Sequence, residues 1–191
     1  MTKVKVLIPG YTSSEGNGGS CSTISLVQSE NLNMIVDPGT LVDPNILIAK
    51  LNEEDLELTD INYVFITHAH TDHYKYVGLF TNAKIIDYWG IWNKDKCENY
   101  KDNFTNDIKI IKTPGHSRDG LSLVVNSEIG DQLGSIALKI VICGDVFWKE
   151  NLPVIDQFAE NQKQLEKSRQ EILKIADYII PGHGSMYLVR K

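Results

Sequence analysis

Cysteine, histidine and long apolar runs are all scarce in this sequence. The three cysteines, Cys21, Cys97 and Cys143, are odd in number and widely spaced, which argues against a disulfide framework and suits a reducing cytosol. No apolar stretch approaches the roughly 18 residues that would span a bilayer. Charged residues interrupt residues 3–8, where a signal peptide would be apolar. We therefore expect a cytoplasmic protein with no membrane partner.

Basic residues are also few relative to acidic residues. Lys and Arg total 19 against 25 Asp and Glu, so the formal net charge is −6. This balance disfavours broad electrostatic binding to nucleic acid, and we expect no DNA partner, although a local basic groove remains compatible with it. The composition is otherwise ordinary for a globular protein. Because 191 residues suffice for one ample core, we predict a single domain over residues 1–191.

The few histidines are concentrated in one place. Three of the five lie in the hexapeptide His68-Ala69-His70-Thr71-Asp72-His73, directly after the apolar residues 61–66. Imidazole nitrogen and carboxylate oxygen are ligands that zinc and similar divalent metals prefer. Random placement would give this spacing roughly twice in ten thousand such chains. The hexapeptide therefore predicts a metal site.

Three further loops carry possible ligands after strand-like runs. They are Thr113-Pro114-Gly115-His116-Ser117, Cys143-Gly144-Asp145 and Pro181-Gly182-His183-Gly184. Taken singly, His116 or His183 would more often be a hydrogen-bonded residue, and Asp145 a turn residue. The hexapeptide makes metal binding the favoured role for them, because a cation bound there needs further ligands from other parts of the chain. Ligands at the ends of several strands can converge on one edge of a layered fold, so we expect all three to join it.

The remaining pattern alternates strands and helices. Strands are predicted at residues 3–8, 22–28, 33–36, 61–66, 84–86, 108–112, 121–125, 136–142 and 178–180. Helices are predicted at residues 44–52, from 74 to about 80, and 157–176. The last places Phe158, Leu165, Ile172 and Ile175 on one face. This order indicates helices packed outside paired sheets.

The motifs together resemble those of the metallo-β-lactamase superfamily. Beyond the hexapeptide, the match includes Val36-Asp37-Pro38-Gly39 and the loops of His116, Asp145 and His183, in the same chain order. The resemblance covers nearly the whole length. It implies an α+β fold, a four-layer αβ/βα sandwich with a metal site along one edge.

A narrower resemblance is to metallo-β-lactamase domain-containing protein 1 and its relatives. The segments that carry it are Gly78-Leu79-Phe80, Arg118-Asp119 with Ser122-Leu123-Val124-Val125, Gly144-Asp145-Val146-Phe147, and Lys167-Ser168-Arg169 before Ile175-Ala176-Asp177. This likeness implies endoribonuclease activity, so RNA is a possible partner, and it suggests a homodimer. Tyr74-Lys75-Tyr76 departs from that group's pattern.

The superfamily resemblance implies a role for each candidate ligand. His68, His70 and His116 would form a first metal site, and Asp72, His73 and His183 a second. Asp145 would bridge the two and offset part of the repulsion between cations about 3.5–4 Å apart. Asp72 would also orient the bridging hydroxide, and Asp37 would orient a ligand without binding metal. Two divalent ions are expected, with zinc first; iron and manganese accept the same donors.

The implied reaction is hydrolysis of a carbonyl or phosphoryl ester by a metal-bridging hydroxide. A small-molecule ester, thioester or lactone is the favoured substrate, and a metal-dependent endoribonuclease is the close alternative. A third hypothesis is a non-catalytic metal-binding protein. Seven candidate ligands argue against it, because structural zinc sites are usually closed and four-coordinate. His70 stands where the di-iron oxygen reductases of the superfamily carry Glu, which disfavours oxygen reduction.

Two segments are candidates for lining a substrate pocket. Residues 10–20 are rich in Gly and Ser, which is typical of a flexible loop. Residues 87–93 are predicted to form a loop. Its aromatic side chains can stack on a base or an acyl group, but they are also consistent with covering the core or with a subunit contact. The basic side chains considered are equally consistent with solvated charges on the protein surface. The side chains considered for substrate contact are Tyr88, Trp89, Trp92, Lys75 and Arg118.

Overall fold

The structure, a computed structural model, describes residues 2–12, 18–131, 134–150 and 152–190. For residues 128–131 and 134–136 the backbone alone is described. The first sheet has seven strands in sequential order: β1 (Lys3–Ile8), β2 (Ile24–Ser29), β3 (Leu32–Val36), β4 (Tyr63–Phe65), β5 (Lys84–Asp87), β6 (Gly90–Asn93) and β7 (Lys96–Glu98). Within it β3, β4 and β5 are parallel, and the other neighbours are antiparallel.

The second sheet follows in sequence and has five strands. They are β8 (Ile108–Lys112), β9 (Leu121–Asp131), β10 (Gly134–Ile142), β11 (Tyr178–Ile180) and β12 (Tyr187–Leu188). Their spatial order is β12-β11-β10-β9-β8, and β10 and β11 are parallel. The α-helices are α1 (Asn45–Asn52), α2 (Thr71–Tyr74) and α3 (Gln162–Ile175). None of the helices in the described ranges has the length and apolar character needed to cross a bilayer.

Both sheets are buried on two faces, which gives the fold four layers. Alternate residues of β9 show this: Leu123 and Val125 pack between the sheets, whereas Val124 packs beneath α3. On the far side, Leu47 and Leu51 of α1 cover the outer face of the first sheet. Each such fully buried side chain contributes roughly 1.5–3 kcal/mol to folding. The predicted α+β sandwich is confirmed.

Two predictions about the elements are wrong. Residues 87–93 are not a loop: β5 ends at Asp87 and β6 begins at Gly90, and the Asp87 carboxylate accepts hydrogen bonds from the backbone N–H groups of Trp89 and Gly90 between them. The last helix starts later than predicted. Asn161 accepts a hydrogen bond from Gln164 N at 3.0 Å and so caps α3 at residue 162.

The late start of α3 places Phe158 outside the helix, where its side chain is 62% exposed. Its predicted place on the buried face of the helix is therefore wrong. Leu165 and Ile172 are buried as predicted, and Ile175 is half-buried. The strands β6, β7 and β12 were not predicted from the sequence.

Parallel strand pairs bring the predicted ligand loops to one edge. Val36 of β3 pairs with Phe65 of β4, so Asp37 and Thr67 emerge side by side. Ile142 of β10 pairs with Ile180 of β11, so the loops of Asp145 and His183 do the same. A hydrogen bond from Leu121 N to Thr67 O, 2.7 Å long, joins the edges of the two sheets. The fold thus gathers four loops at a common edge.

Candidate metal centre

All seven predicted ligand side chains meet at this edge, in two groups. The first cluster consists of His68, His70, His116 and Asp145, and the second of Asp72, His73 and His183. Within each cluster, one ligand atom per residue lies within 4.8 Å of the others.

The Asp145 carboxylate contacts both clusters. Its Oδ2 lies 3.3 Å from His116 Nε2 in the first cluster. Its Oδ1 lies 3.3 Å from His73 Nε2 and 3.2 Å from His183 Nε2 in the second. The two oxygens of one carboxylate therefore face different groups of imidazoles, which is a geometry that suits a bridging ligand.

The hexapeptide reaches both clusters because its chain changes direction within it. His68 lies three residues after the end of β4, whereas α2 begins at Thr71 and carries Asp72 and His73 in its single turn. Hydrogen bonds from Ser22 N to Asp72 O and from Gly39 N to His73 O, both 3.0 Å, hold that turn in place. Extended residues followed by one helical turn thus point neighbouring ligands in different directions.

Asp37 and Thr67 contact the Nδ1 atoms of two buried imidazole rings, on the side away from the clusters. Asp37 Oδ2 lies 2.8 Å from His73 Nδ1 and accepts a 2.6 Å hydrogen bond from Thr67 Oγ1. Thr67 Oγ1 is also 3.1 Å from His68 Nδ1. These contacts turn the Nε2 atom of each ring toward the cluster. The orienting role of Asp37 stays a prediction, and these contacts support it.

Two further histidines are held in the same way. His116 Nδ1 lies 2.6 Å from Oδ2 of the buried Asp156. His183 Nδ1 faces the backbone carbonyl oxygens of Cys21 at 3.0 Å and Tyr11 at 3.1 Å. Histidines that bind metal generally donate their second N–H to a carboxylate or carbonyl, which fixes the tautomer and ring orientation. Both rings have this partner.

The electrostatics of the clusters favour a cation. Burial, and then the charge of His73, hold the pKa of His68 well below its ordinary value, so its imidazole keeps a free lone pair. Burial alone would raise the pKa of Asp145, but the positive charges of His73 and His183 outweigh it and lower that pKa well below the usual range. Burial would likewise lower the pKa of His73, but the carboxylates of Asp145 and Asp37 raise it well above its ordinary value.

Unpaired polar atoms show that the residues fit a metal. His73 Nε2 and Asp145 Oδ1 are both buried and neither has a hydrogen-bond partner, although they lie 3.3 Å apart. A buried polar atom without a partner costs about 1–3 kcal/mol. A divalent cation coordinated by both atoms would remove that cost, and this nitrogen and oxygen set suits zinc, iron or manganese.

Cys143 does not add a ligand. Burial raises the pKa of its thiol to about 12. Its Sγ lies 3.6 Å from the carbonyl oxygens of Gly144 and Ile180 and belongs to the core beneath α3. Cys21 is also buried, Cys97 is exposed, and neither forms a disulfide.

A cavity of about 340 Å³ opens over both clusters. Its walls include His70, Asp72, His116, Asp145 and His183, together with Thr12, Ser20, Trp148 and Phe158. Residues 10–20 therefore do reach the site through Thr12 and Ser20; residues 13–17 lie outside the described part of the chain. Ser20 Oγ donates a 2.6 Å hydrogen bond to Asp72 Oδ2 and fixes that carboxylate at the cavity wall.

The side chains considered for substrate contact are scattered. Tyr88 and Trp89 line a different cavity of about 260 Å³, which His68 also borders. Trp92 donates its Nε1–H to the Asp87 carboxylate at 3.1 Å.

The two basic candidates lie elsewhere. Lys75 Nζ is 5.6 Å from the ring centroid of Tyr76. The Arg118 side chain is 86% exposed, with Nε 3.4 Å from Glu160 Oε2. Among the described residues, Trp92, Lys75 and Arg118 line neither of the two cavities.

The sequence did not indicate several of the residues that lie at the site. A carboxylate partner for His116 is expected on general grounds, but the sequence holds 14 aspartates and no spacing rule selects Asp156. Thr67 is marked only by its place before His68. Trp148 and Phe158, which carry no metal-ligating atom, become visible only as walls of the cavity.

The role of Asp156 can be tested by replacing it with asparagine. We expect Asp156→Asn to weaken zinc binding about 10–100-fold, because the amide loses the charge that holds His116 Nδ1–H. Competition with a chromophoric chelator measures the affinity. Asp87→Asn is the matched control, since its carboxylate bonds to Trp89 and Trp92. Equal affinity in both variants would remove the orienting role.

Comparison with known proteins agrees with this geometry. The family model described as the metallo-beta-lactamase superfamily matches residues 18–105. Metallo-beta-lactamase domain-containing protein 1 of Xenopus laevis is 29% identical over 199 residues, covering 98% of this chain and 82% of that protein. The chain covers only 63% of the rat and 61% of the mouse proteins of that name.

A protein of Methanocaldococcus jannaschii named Probable metallo-hydrolase MJ0296 is 30% identical over 161 residues, covering 81% of this chain and 72% of that protein. Among solved structures, a candidate metallo-beta-lactamase from Thermotoga maritima superposes with a TM-score of 0.73 at 21% identity, covering 98% of this chain and 99% of the other. That structure shows a shared fold. The sequence relatives and the family model together show that the chain belongs to the metallo-beta-lactamase superfamily.

Proposed function

We propose that the chain is a hydrolase that uses two divalent metal ions to cleave a small, uncharged carbonyl ester, thioester or lactone. The observation that carries this proposal is the convergence of seven nitrogen and oxygen donors beneath an open cavity. Structural zinc sites are usually closed and four-coordinate, whereas sites for catalysis keep a position open to substrate. An open cavity over two clusters therefore favours catalysis over a purely structural role.

Each cluster would hold one ion, and Asp145 would join them. Such cations, when bound, lower the pKa of water toward neutrality and polarise the substrate oxygen. Asp72 is the carboxylate that we assign to orienting the attacking water. It lines the cavity, is only half-buried, and is fixed through its Oδ2 by Ser20. The second oxygen of Asp72 is then available to accept a hydrogen bond.

The size and charge of the cavity favour a small neutral substrate. Its volume of about 340 Å³ lies at the lower end of the roughly 300–1,000 Å³ of small-molecule pockets. Asp72 and Asp145 line it, but the two cations that they would help to bind offset their negative charge. Within the described part of the chain no Lys or Arg lines it. Sites that bind single-stranded nucleic acid rely on a groove of positively charged side chains that follows the backbone. The lining of the cavity therefore supports ester hydrolysis over RNA cleavage.

A substrate panel tests this function. The protein, reconstituted with zinc, iron(II) or manganese(II), is assayed on p-nitrophenyl esters, thioesters, lactones and short single-stranded RNA at several salt concentrations. We expect ester or lactone turnover, with kcat/KM reduced more than about 100-fold in His116→Ala, because that variant loses a ligand. Metal-depleted wild type is the control.

Two results would overturn the proposal in different ways. RNA cleavage that disappears in His116→Ala and weakens as salt rises would assign the site to a ribonuclease instead. Binding of well under two ions per chain, with no substrate of any class cleaved, would remove the hydrolase assignment altogether.

A further inference from the structure

We propose that Trp148 and Phe158 form an apolar wall that binds the apolar group of the substrate beside its scissile bond. The proposal rests on the function proposed above and narrows its substrate class to neutral esters, thioesters or lactones with an alkyl or aryl group. Neither residue belongs to a cluster, and both line the 340 Å³ cavity above the clusters.

The geometry of the two rings makes a continuous surface. Their centroids are 5.7 Å apart and their planes differ by 16°, so the indole and the phenyl ring are stacked. The Trp148 ring lies edge-on to His116 of the first cluster and to His183 of the second, with centroids 6.3 Å from each. A group bound against this wall therefore lies beside both clusters.

Both ends of the wall are tied to candidate ligands. His183 N donates a 2.7 Å hydrogen bond to Trp148 O. Phe158 N donates a 2.9 Å hydrogen bond to Asp156 Oδ1, and the other oxygen of Asp156 contacts His116 Nδ1. The rings are thus positioned by the same contacts that position the histidines. A binding surface that is fixed in advance loses little conformational entropy when a ligand arrives.

The Phe158 ring leaves apolar surface free to contact a ligand. It remains 62% exposed despite the stack with Trp148, and it lines the cavity. Exposed apolar surface of this kind commonly marks a binding site. An uncharged apolar group complements the two rings, whereas no Lys or Arg in the described walls is placed to hold an additional anionic group.

A chain-length series tests the wall in the reconstituted enzyme. One series lengthens the acyl group of p-nitrophenyl esters from acetate to hexanoate, and a second lengthens the alcohol of acetate esters from methyl to hexyl. Each methylene withdrawn from water is worth up to about fourfold. We expect kcat/KM to rise at least about tenfold along one series in wild type and less than about threefold along the same series in Phe158→Ala.

Ile155→Ala is the matched control, because Ile155 is exposed but does not line the cavity. It should keep the wild-type dependence on chain length, and thermal melting should show that both variants fold. If Phe158→Ala keeps the wild-type dependence in both series, the wall is not a substrate surface.

A binding measurement separates this inference from the proposed function. Hexanamide and benzamide, neutral amides of the same shape, are titrated into the zinc-loaded protein while NMR follows the indole N–H of Trp148, identified by its loss in Trp148→Phe. We expect a saturable shift of that signal and at least about fivefold weaker binding in Phe158→Ala. Binding without turnover of any ester would support the wall and contradict the hydrolase. The absence of a saturable shift would overturn the wall, whatever is cleaved.

Discussion

Asp145→Ala is expected to weaken metal binding at both clusters together, by more than about 100-fold at each. The carboxylate contacts His116 of the first cluster through Oδ2 and His73 and His183 of the second through Oδ1. Loss of a partner that only orients a ligand already costs 10–100-fold, and loss of a shared ligand should exceed this. It also removes the negative charge that offsets repulsion between neighbouring cations. Metal content after equilibrium dialysis against buffered zinc measures the effect.

Variants confined to one cluster provide the comparison. His68→Ala removes a ligand from the first cluster only, and His183→Ala removes one from the second only. Each should lose about one ion and retain the other at moderate zinc concentration. If Asp145→Ala retains one ion as tightly as wild type, Asp145 serves a single ion and the bridging assignment is wrong.

The convergence of the candidate ligands was predictable because it follows from short-range rules. The hexapeptide is a local pattern, and His116, Asp145 and His183 each follow an apolar strand. Pairs of parallel strands leave the sheet at the same edge, as the register of Val36 with Phe65 and of Ile142 with Ile180 shows. The local motifs therefore predict which loops carry candidate ligands, and the parallel pairing of the strands places these loops close together.

The partners of the ligands depend on tertiary structure and were not predictable. Asp156 reaches His116 across 40 positions of sequence, from an irregular segment between Asp145 and α3. His183 faces backbone carbonyls near the start of the chain, and a carbonyl carries no sequence signal. Side-chain identity predicts a ligand, whereas only the fold shows what orients it.

The errors in the predicted helix and strands have a similar cause, because these elements depend on contacts that the side-chain pattern does not show. Phe158 lies seven residues before Leu165, which is the spacing of one helical face, yet the side chain of Asn161 caps the helix between them. The hairpin of β6 and β7 has no apolar alternation, because it lies at the sheet edge and β7 is wholly exposed. Such strands are held by backbone hydrogen bonds, which the side-chain pattern does not report.

Gly182→Ala is expected to disrupt both clusters through a single methyl group. A Cβ at position 182 would lie 1.9 Å from Asp145 Oδ1 and 3.0 Å from the carbonyl carbon of Gly144. The backbone cannot easily retreat, because Gly182 N donates to Phe147 O at 2.9 Å and Gly182 O accepts from Thr23 N at 2.6 Å. We therefore expect Asp145 to be displaced, with metal content below half of wild type and a free energy of unfolding lower by about 1–3 kcal/mol in the metal-free protein.

Gly184→Ala is the control that isolates the steric cause. A Cβ at position 184 would meet its nearest neighbours, Lys149 Cγ and Pro181 Cγ, at 3.5 and 3.6 Å, which is ordinary van der Waals contact. Both variants exchange glycine for alanine in the loop of His183, so they remove similar backbone freedom from the unfolded chain. Urea denaturation and metal analysis should therefore separate Gly182→Ala from wild type and leave Gly184→Ala close to it. Equal behaviour of the two variants would mean that close contact between Gly182 and Asp145 does not position the carboxylate, and the bridging geometry would lose its main support in the loop of His183.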